Sequence, residues 1–558
     1  MAGPDGLDEP LTILDHVPGD SVVAWPDRRP RPAVLAALLA GVLSLAWALW
    51  LARDAGDLAA QYAWTAFVRH HPGAAYNLSW YGGIHPASYS VISPYLMAWL
   101  GVRTTGVLAC TACAALGAVL IARSGTRRPL PLAAWWSVAV WCNLVAGRVT
   151  YLLGMVLALM TAICVLNAGG RNRSRSVAAA ALGVLATLCS PVAGLFVEVL
   201  AAALFVVGRR RQALLIAPGP PLVIGVTALL FPFSGVQPFH WYAALPTVGT
   251  GVAVAVLAPL AWRTVRAGAW VYACGVGLCW VLPTPIGSNV ERLALLAGAA
   301  ILICACTVLE GRGGKVIATY ATAAGLAIWT VVQPITDVVN TSPATDAVVD
   351  GRSLITELLL LNAQHGRVEV VPLRTHWEAA GVAPYVNLAR GWNRQADVER
   401  NPLFYNGTLT AATYRDWLRT WSVGYVVLPA TEPDSAGVAE ARIITAGQTW
   451  LPLVWEDADW RVYRVVGADP LVSAPATVTY AGPATLTVHL PGAGSAVLRI
   501  AWSPWLAVAG IDDRTTPRAC LVQNGAWTEL VASTGGTFTI GARYALDRGT
   551  PCPTTSTG

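Results

Sequence analysis

Between residues 33 and 333 the chain is a succession of long apolar runs separated by short polar connectors, and this limits its fold more than any other feature. A segment that lies in hydrocarbon must satisfy its own backbone hydrogen bonds, and for a run of this composition that means a helix. The runs at 33–52, 105–122, 131–146, 150–167, 177–189, 193–207, 213–231, 248–262, 269–283, 293–309 and 316–333 predict eleven membrane-spanning helices. Several are shorter than the roughly 20 residues of a straight span, so tilted, broken or partly entering helices are expected. Overall, 55% of the 558 residues are hydrophobic and only 12% are charged, whereas a soluble domain carries about 25% charged residues. The first 32 residues are polar, contain Arg28, Arg29 and Arg31 and precede an apolar run, so 33–52 reads as a retained first span rather than a cleaved leader.

Orientation follows from the arginines. Arg28/Arg29/Arg31, Arg123/Arg127/Arg128, Arg171/Arg173/Arg175, Arg209/Arg210/Arg211, Arg263/Arg266 and Arg312/Lys315 fall in alternate connectors, as the positive-inside rule requires of the cytoplasmic side. The opposite connectors hold only Arg53, Arg69, Arg103, Arg148 and Arg292. A single helix over 177–207 would move the Arg209 cluster outside, so two short helices meeting near Ser190-Pro191 are expected. The net charge of +6 is thereby explained by membrane topology, and a nucleic-acid partner is not expected. Residues 1–32 are predicted to be a cytoplasmic tail, and eleven crossings from an inside start put residue 337 onward outside.

Beyond Pro334 the polarity becomes ordinary. Residues 337–468 mix helical and strand patterns, as in TYRDWLRT (413–420) followed by VGYVVLP (423–429), and predict an α/β domain. Residues 469–558 carry short alternating runs such as ATLTVHL and AVLRIAW between Gly and Pro, and predict a β-sandwich. Trp502 and Trp505 are either core or membrane-contact residues, or a platform for sugar rings. Nine of the eleven cysteines lie in or beside apolar runs and read as packing residues. The C-x-x-C of Cys110 and Cys113 has no second pair or histidine partner, so no metal site is inferred there. Cys520 and Cys552 are the two cysteines of the outer region, where an oxidising exterior would let them pair.

Candidate chemistry clusters on the outer side. The long connector 53–104 opens with Asp54 and Asp57 at the edge of the hydrocarbon, where a carboxylate is costly unless paired or used. Asp54, next to Arg53 at the span end, is explained by a local ion pair; Asp57 precedes the helix-forming AAQYAWTAF and is the functional candidate. Asn77, Trp80, Tyr81, His85 and Tyr89 follow in a Gly/Pro-punctuated stretch, suited to a sugar or headgroup, or else to an interfacial aromatic belt. Arg148 in NLVAGRVTYLLG and Arg292 in PTPIGSNVERLALL break the positive-inside rule, which implies a compensating partner or function. Together they suit a phosphate or diphosphate, and singly either suits an ion pair with Asp57, Glu198 or Glu291. Asn289 and Glu291 flank Arg292, and His240 lies in the outer FPFSGVQPFHWYAALP loop; all three join the substrate-binding candidates.

The order of GDLAAQ, WYGGIHPASYSVISP, AGRVTYLLG, SPVAG, SNVERL and THWEAAGVAPYVNLARGWNRQADVERNPLFY resembles the GT-C superfamily of integral membrane glycosyltransferases, in particular actinobacterial members acting on cell-envelope glycans. The likeness covers most of the chain. It implies a GT-C-like transmembrane domain over 33–336, a polyprenyl-phosphate-linked sugar donor, a glycan or glycolipid acceptor outside, and Asp57 as general base. Arg148 and Arg292 would hold the departing phosphate, while His85 and nearby Trp80, Tyr81 and Tyr89 would orient sugar hydroxyls. The DAGD spacing departs from the paired-acid signature of that loop, so no obligatory metal and no other cofactor is expected. One enzymatic carboxylate without a covalent intermediate implies inversion at the anomeric centre. The competing readings are a transporter or flippase for a lipid-linked or hydrophilic substrate, which commonly shows internal repeats not visible here, and a non-catalytic envelope assembly protein. In intact cells, a tag at the N-terminus is expected to be inaccessible from outside and residues beyond 340 accessible; protease shaving that removed the N-terminus and spared the rest would refute this topology.

Overall fold

The computed structural model describes residues 31–52, 56–124, 126, 128–167, 173–233, 235–309, 313–341, 351–509 and 518–553. Each of the eleven apolar intervals is occupied by helix: Arg31–Ala46 continued by a wider turn to Leu51, Val102–Arg123, Pro129–Val145, Val149–Asn167, Arg173–Cys189, Pro191–Val206, Arg210–Ile216 with Gly219–Leu230, Trp241–Leu257, Arg263–Val281, the segment from Gly287 to Cys306, and Gly314–Thr341. Among the described residues six of these are long and apolar enough to cross a membrane, fewer than the eleven crossings expected. Of the other five, Pro129–Val145, Pro191–Val206 and Trp241–Leu257 are apolar but have only 16 or 17 residues, while Arg173–Cys189 and Arg263–Val281 each begin with two arginines that dilute the apolar run. The chain is a multi-pass membrane protein on this composition.

The expected break near Ser190 is present. Ser190 is extended (φ −153°, ψ 115°) because the following proline ring disfavours helical backbone before it, and Pro191 then opens the next helix at a position where no N–H is needed. Helices close on one another through small residues. A Cβ on Gly117 would strike the ring of Trp136, whose indole N–H donates to the Cys113 carbonyl at 3.0 Å. Cys110 and Cys113 are buried free thiols in this core, which agrees with a packing role.

The C-terminal region carries three sheets. Strands β1 (Arg367–Val370), β2 (Val423–Pro429), β3 (Leu453–Glu456) and β4 (Trp460–Arg464) form one sheet in the order β1-β2-β4-β3, with β1 and β2 parallel and the other pairs antiparallel. Helix Ala411–Thr420, opened by a reciprocal Thr410/Thr413 cap, leads into β2, close to the helix and strand read from the sequence. The remaining strands are β5 (Thr477–Ala481), β6 (Thr485–Leu490), β7 (Gly494–Ala501), β8 (Ala507–Val508), β9 (Ala519–Asn524), β10 (Trp527–Ala532) and β11 (Gly536–Gly541). They form two antiparallel sheets, β7-β10-β9 and β5-β6-β11-β8, which enclose a shared core that includes Val488, Leu498, Leu521, Leu530 and Ile540. A disulfide joins Cys520 to Cys552.

The first long connector is not a free loop; it is clasped between these sheets. Ala75, Leu78 and Ala501 donate backbone N–H groups to the carbonyls of Ala542, Pro483 and Gly82, and Leu388 donates to Ser79. His85 lies inside this clasp. Its Nδ1 is 2.7 Å from the Ala75 carbonyl, so Nδ1 carries the proton and Nε2 accepts from the Ser503 hydroxyl at 3.0 Å. Burial, opposed by the Ala75 carbonyl and aided slightly by Arg400, lowers the His85 pKa from 6.5 to about 4. Because the unfolded chain binds this proton more readily, the associated stability is full above about pH 6.5 and is lost as pH falls toward 4. The contribution is on the order of 3 kcal/mol. Thermal melting of the detergent-solubilised chain is therefore expected to fall over that interval, and His85→Gln to flatten the fall. Parallel profiles for the native chain and the variant would disprove it.

Candidate active site between the helices and the C-terminal region

Helix Gly56–His70 starts at the edge of a cavity of about 790 Å³, and Asp57 is in its first turn. The Asp57 carboxylate is 41% exposed, whereas the arginines facing it are mostly buried. One oxygen, Oδ2, is 3.4 Å from Arg292 Nη2 and 3.9 Å from Arg148 Nε. The Arg292 guanidinium also lies 5.5 Å from the Tyr151 ring centroid, and Arg148 Nη1 donates to Asn143 Oδ1 at 3.4 Å. The two arginines singled out by their position in the sequence thus meet at one carboxylate. Asp54 lies outside the described residues.

Sequence reasoning misses the residue that fixes this geometry. Gln61, one turn beyond Asp57, is wholly buried. Its Nε2 donates to the Gly147 carbonyl and, at 3.3 Å, to that of Asp57, while its Oε1 accepts from Thr150 N–H at 3.1 Å. The tight turn holding Arg148 is thereby tied to the helix holding Asp57. The available signal is the i, i+4 spacing of Asp57 and Gln61, which puts both on one helix face. Asp337, on helix Gly314–Thr341, is missed in the same way. It lies within electrostatic reach of Arg148 and Asp57, one turn beyond Gln333 in the cavity wall. Glu291 lines the cavity within reach of both arginines.

Away from this polar end the cavity is lined by Val192, Leu195, Pro220, Pro221 and Ile224 of the helices, with Glu198 among them. The side chain of Glu198 has one buried oxygen without a hydrogen-bond partner among the described residues. Another part of the wall, next to the start of the Asp57 helix, is the segment Trp392–Gln395. Trp392 Nε1 donates to the Gly56 carbonyl at 2.7 Å, and His376 stacks on the Trp392 ring at 3.4 Å. Arg394 binds Asp434 at 2.9 Å and the Tyr405 hydroxyl at 3.1 Å. Burial pushes the Asp434 carboxyl up, but the charges of Arg394 and His376 override it and hold it at about 2. Beneath the segment, buried Arg390 donates to Glu369 (2.7 Å) and Glu440 (2.6 Å), and burial raises both of those carboxyls.

The other sequence candidates divide. Tyr89 lines the cavity, with its hydroxyl 3.5 Å from Thr150 Oγ1, and Asn289 lines it beside Arg292. His85 does not reach it, because the clasp that buries it faces Ser503, Phe231 and Trp505. Trp80 is buried with its indole N–H on the Ala379 carbonyl, and Tyr81 is buried with its hydroxyl on the Gly391 carbonyl, so both brace the wall without lining it. His240 is exposed, stacked on Tyr242, and outside the cavity. Trp505 is buried against Phe231, the core alternative for that residue. Asn77 is buried and accepts from the Ser79 N–H. Among the described residues no group of three or more His, Cys, Asp or Glu side chains is placed to hold a metal ion.

Two solved structures are similar to the chain in outline. The chain is similar to an arabinofuranosyltransferase. The cryo-EM structure of AftD from Mycobacteria matches with 14% identity and a TM-score of 0.45, over 79% of this chain and 40% of that one. A single-residue mutant of AftD matches with 17% identity and a TM-score of 0.42, over 79% of this chain and 42% of that one. This chain therefore corresponds to less than half the length of AftD. Residues 473–557, the β-sandwich, match a domain of unknown function, DUF8823. No curated protein sequence matches the chain. These likenesses are too distant to assign chemistry, which rests on the cavity itself.

Gln61→Leu keeps the volume but leaves the Thr150 N–H buried without a partner and removes one of the two donors to the Gly147 carbonyl, which keeps the Val149 N–H. A loss of roughly 1–3 kcal/mol is expected, visible as a lowered melting temperature. A variant that melts with the native chain would show that Gln61 does not brace the site.

Proposed function

We propose that the chain is a membrane glycosyltransferase that moves a sugar from a polyprenyl-phosphate-linked donor to an envelope glycan or glycolipid acceptor on the outer side of the membrane. The observation that carries this reading is the two-ended cavity. One end holds a half-exposed carboxylate against two mostly buried arginines; the other is apolar and runs among the helices. A lipid phosphate has the same two ends. In this reading the N-terminus is cytoplasmic, so the C-terminal region and the polar end of the cavity face outward.

Arg148 and Arg292 take the donor phosphate, for which planar guanidinium groups are well matched. Their charge stabilises the phosphate as it leaves, in a site where little water screens it. Asp57 accepts the proton of the acceptor hydroxyl while that oxygen bonds to the anomeric carbon. The bond from the anomeric carbon to the phosphate oxygen breaks, its electron pair goes to the polyprenyl phosphate, and the configuration inverts. Phosphate binding competes with Asp57 for the arginines, so the donor itself frees the base. Tyr89 and Glu291 border the sugar.

Asp57→Asn keeps the shape and removes the base. It is expected to insert and fold normally and to reduce turnover by about 10²- to 10⁴-fold, measured with a radiolabelled polyprenyl-phosphate sugar and native envelope acceptor. Arg148→Ala and Arg292→Ala should each weaken donor use. Near-normal transfer by Asp57→Asn would remove this residue from the mechanism and favour a transporter.

A further inference from the structure

The cavity has a third side, built from three separated connectors, that neither the carboxylate nor the arginines occupy. Gln237, Ser288, Asn289, Asn393 and Gln395 all line it. These connectors interlock through their backbones. A Cβ on Gly235 would strike the backbone of Gln395, and one on Gly287 would strike the Gln237 carbonyl oxygen. Gly287 also has φ +43°, which suits glycine. Gln237 N–H donates to the Thr284 carbonyl at 3.0 Å, and Gln395 Nε2 to that of Pro285 at 3.3 Å. The rim is therefore assembled in advance of any ligand.

Its side chains are each only partly engaged. Gln237 Nε2 donates to Ser288 Oγ (3.2 Å), Asn289 Nδ2 to the Ile286 carbonyl (3.0 Å), and Asn393 Oδ1 accepts from Ala396 N–H (3.0 Å). Among the described residues this leaves Oε1 of Gln237 and Gln395, Oδ1 of Asn289 and Nδ2 of Asn393 without a protein partner. The free groups are thus three amide oxygens and one amide nitrogen, and none of the five residues is charged. Arg394, the neighbouring cation, is held by Asp434 and Tyr405. Such a rim pairs with hydroxyl groups, which donate and accept at once, and offers an anion no counter-charge.

We infer that this amide rim is the acceptor subsite and that it takes a neutral, polyhydroxylated glycan end rather than an anionic one. The inference rests on the glycosyltransferase reading only for the word acceptor. Position favours it: the Trp392 hydrogen bond to Gly56 sets Asn393 beside the turn that presents Asp57, and an acceptor hydroxyl must reach that carboxylate. The donor phosphate and its lipid occupy the arginine and apolar sides, which leaves the rim for the second substrate.

The test uses the full chain in nanodiscs and three probes: decaprenyl phosphate, a neutral oligosaccharide fraction released from native envelope, and the same fraction oxidised at its primary hydroxyls to carboxylates. The native chain is expected to bind the neutral fraction at least tenfold more tightly than the oxidised one. Gln395→Ala and Asn289→Ala should weaken glycan binding about tenfold and leave decaprenyl phosphate affinity within twofold; Asn393→Ala serves where either variant melts early. Equal binding of the oxidised fraction, unchanged glycan binding in all the variants, or a parallel loss of decaprenyl phosphate affinity would each overturn the assignment. Rim-dependent glycan binding together with normal transfer by Asp57→Asn would leave the subsite standing and sink the catalytic reading.

Discussion

The site depends on one carboxylate shared by two guanidinium groups at the edge of the hydrocarbon. An arginine near a span end on the side opposite the basic clusters is costly, by roughly 2.5–3.5 kcal/mol at a span centre and less toward the ends. Arg148 and Arg292 are both in that position, and Asp57 Oδ2 faces both. The carboxylate meets the same obstacle from the opposite sign of charge. Each group makes the others tolerable, and the result is a cluster of ionisable groups open to a cavity on one side. Desolvated charges held in reach of a substrate can act on it far more strongly than the same charges in water.

Holding that cluster is a task divided among distant parts of the chain. Gln61 ties the turn of Arg148 to the helix of Asp57 from within the bundle. Trp392 reaches the same helix start from the C-terminal region, and its segment stands on the buried Arg390, Glu369 and Glu440 group. A buried arginine with carboxylates is poor evidence of net stability, since desolvation cancels much of the attraction. Its value here is positional: the fixed geometry of a guanidinium between carboxylates sets the backbone that forms the cavity wall. Tyr81 and Trp80 complete the bracing from the first connector.

Much was legible in the sequence because it depended on local or averaged properties. Apolar runs located the helices, since hydrocarbon admits little else. Period-two alternation located the sandwich, and ATLTVHL became β6 for the reason that its alternate residues face a core. The positive-inside rule singled out Arg148 and Arg292 because a rule that most residues obey makes the exceptions visible. What misled was the aromatic-rich connector. Trp80, Tyr81 and His85 have the composition of a binding loop, but aromatic and polar groups serve equally well to pack a loop between two sheets, and residue type alone does not separate the two.

By itself the sequence determined the helical membrane region, the α/β and sandwich character of the C-terminal region, and which arginines needed a compensating partner or use. Each of these follows from a cost paid residue by residue, which composition and spacing record. The tertiary structure alone decided that Asp57, Arg148 and Arg292 converge, that His85 turns away, and that the Trp392–Gln395 segment and two glycine-bearing connectors complete the cavity wall. Those outcomes depend on which faces of distant segments pack together, and contacts between residues more than 300 positions apart, such as Trp392 to Gly56, leave no local periodicity to read.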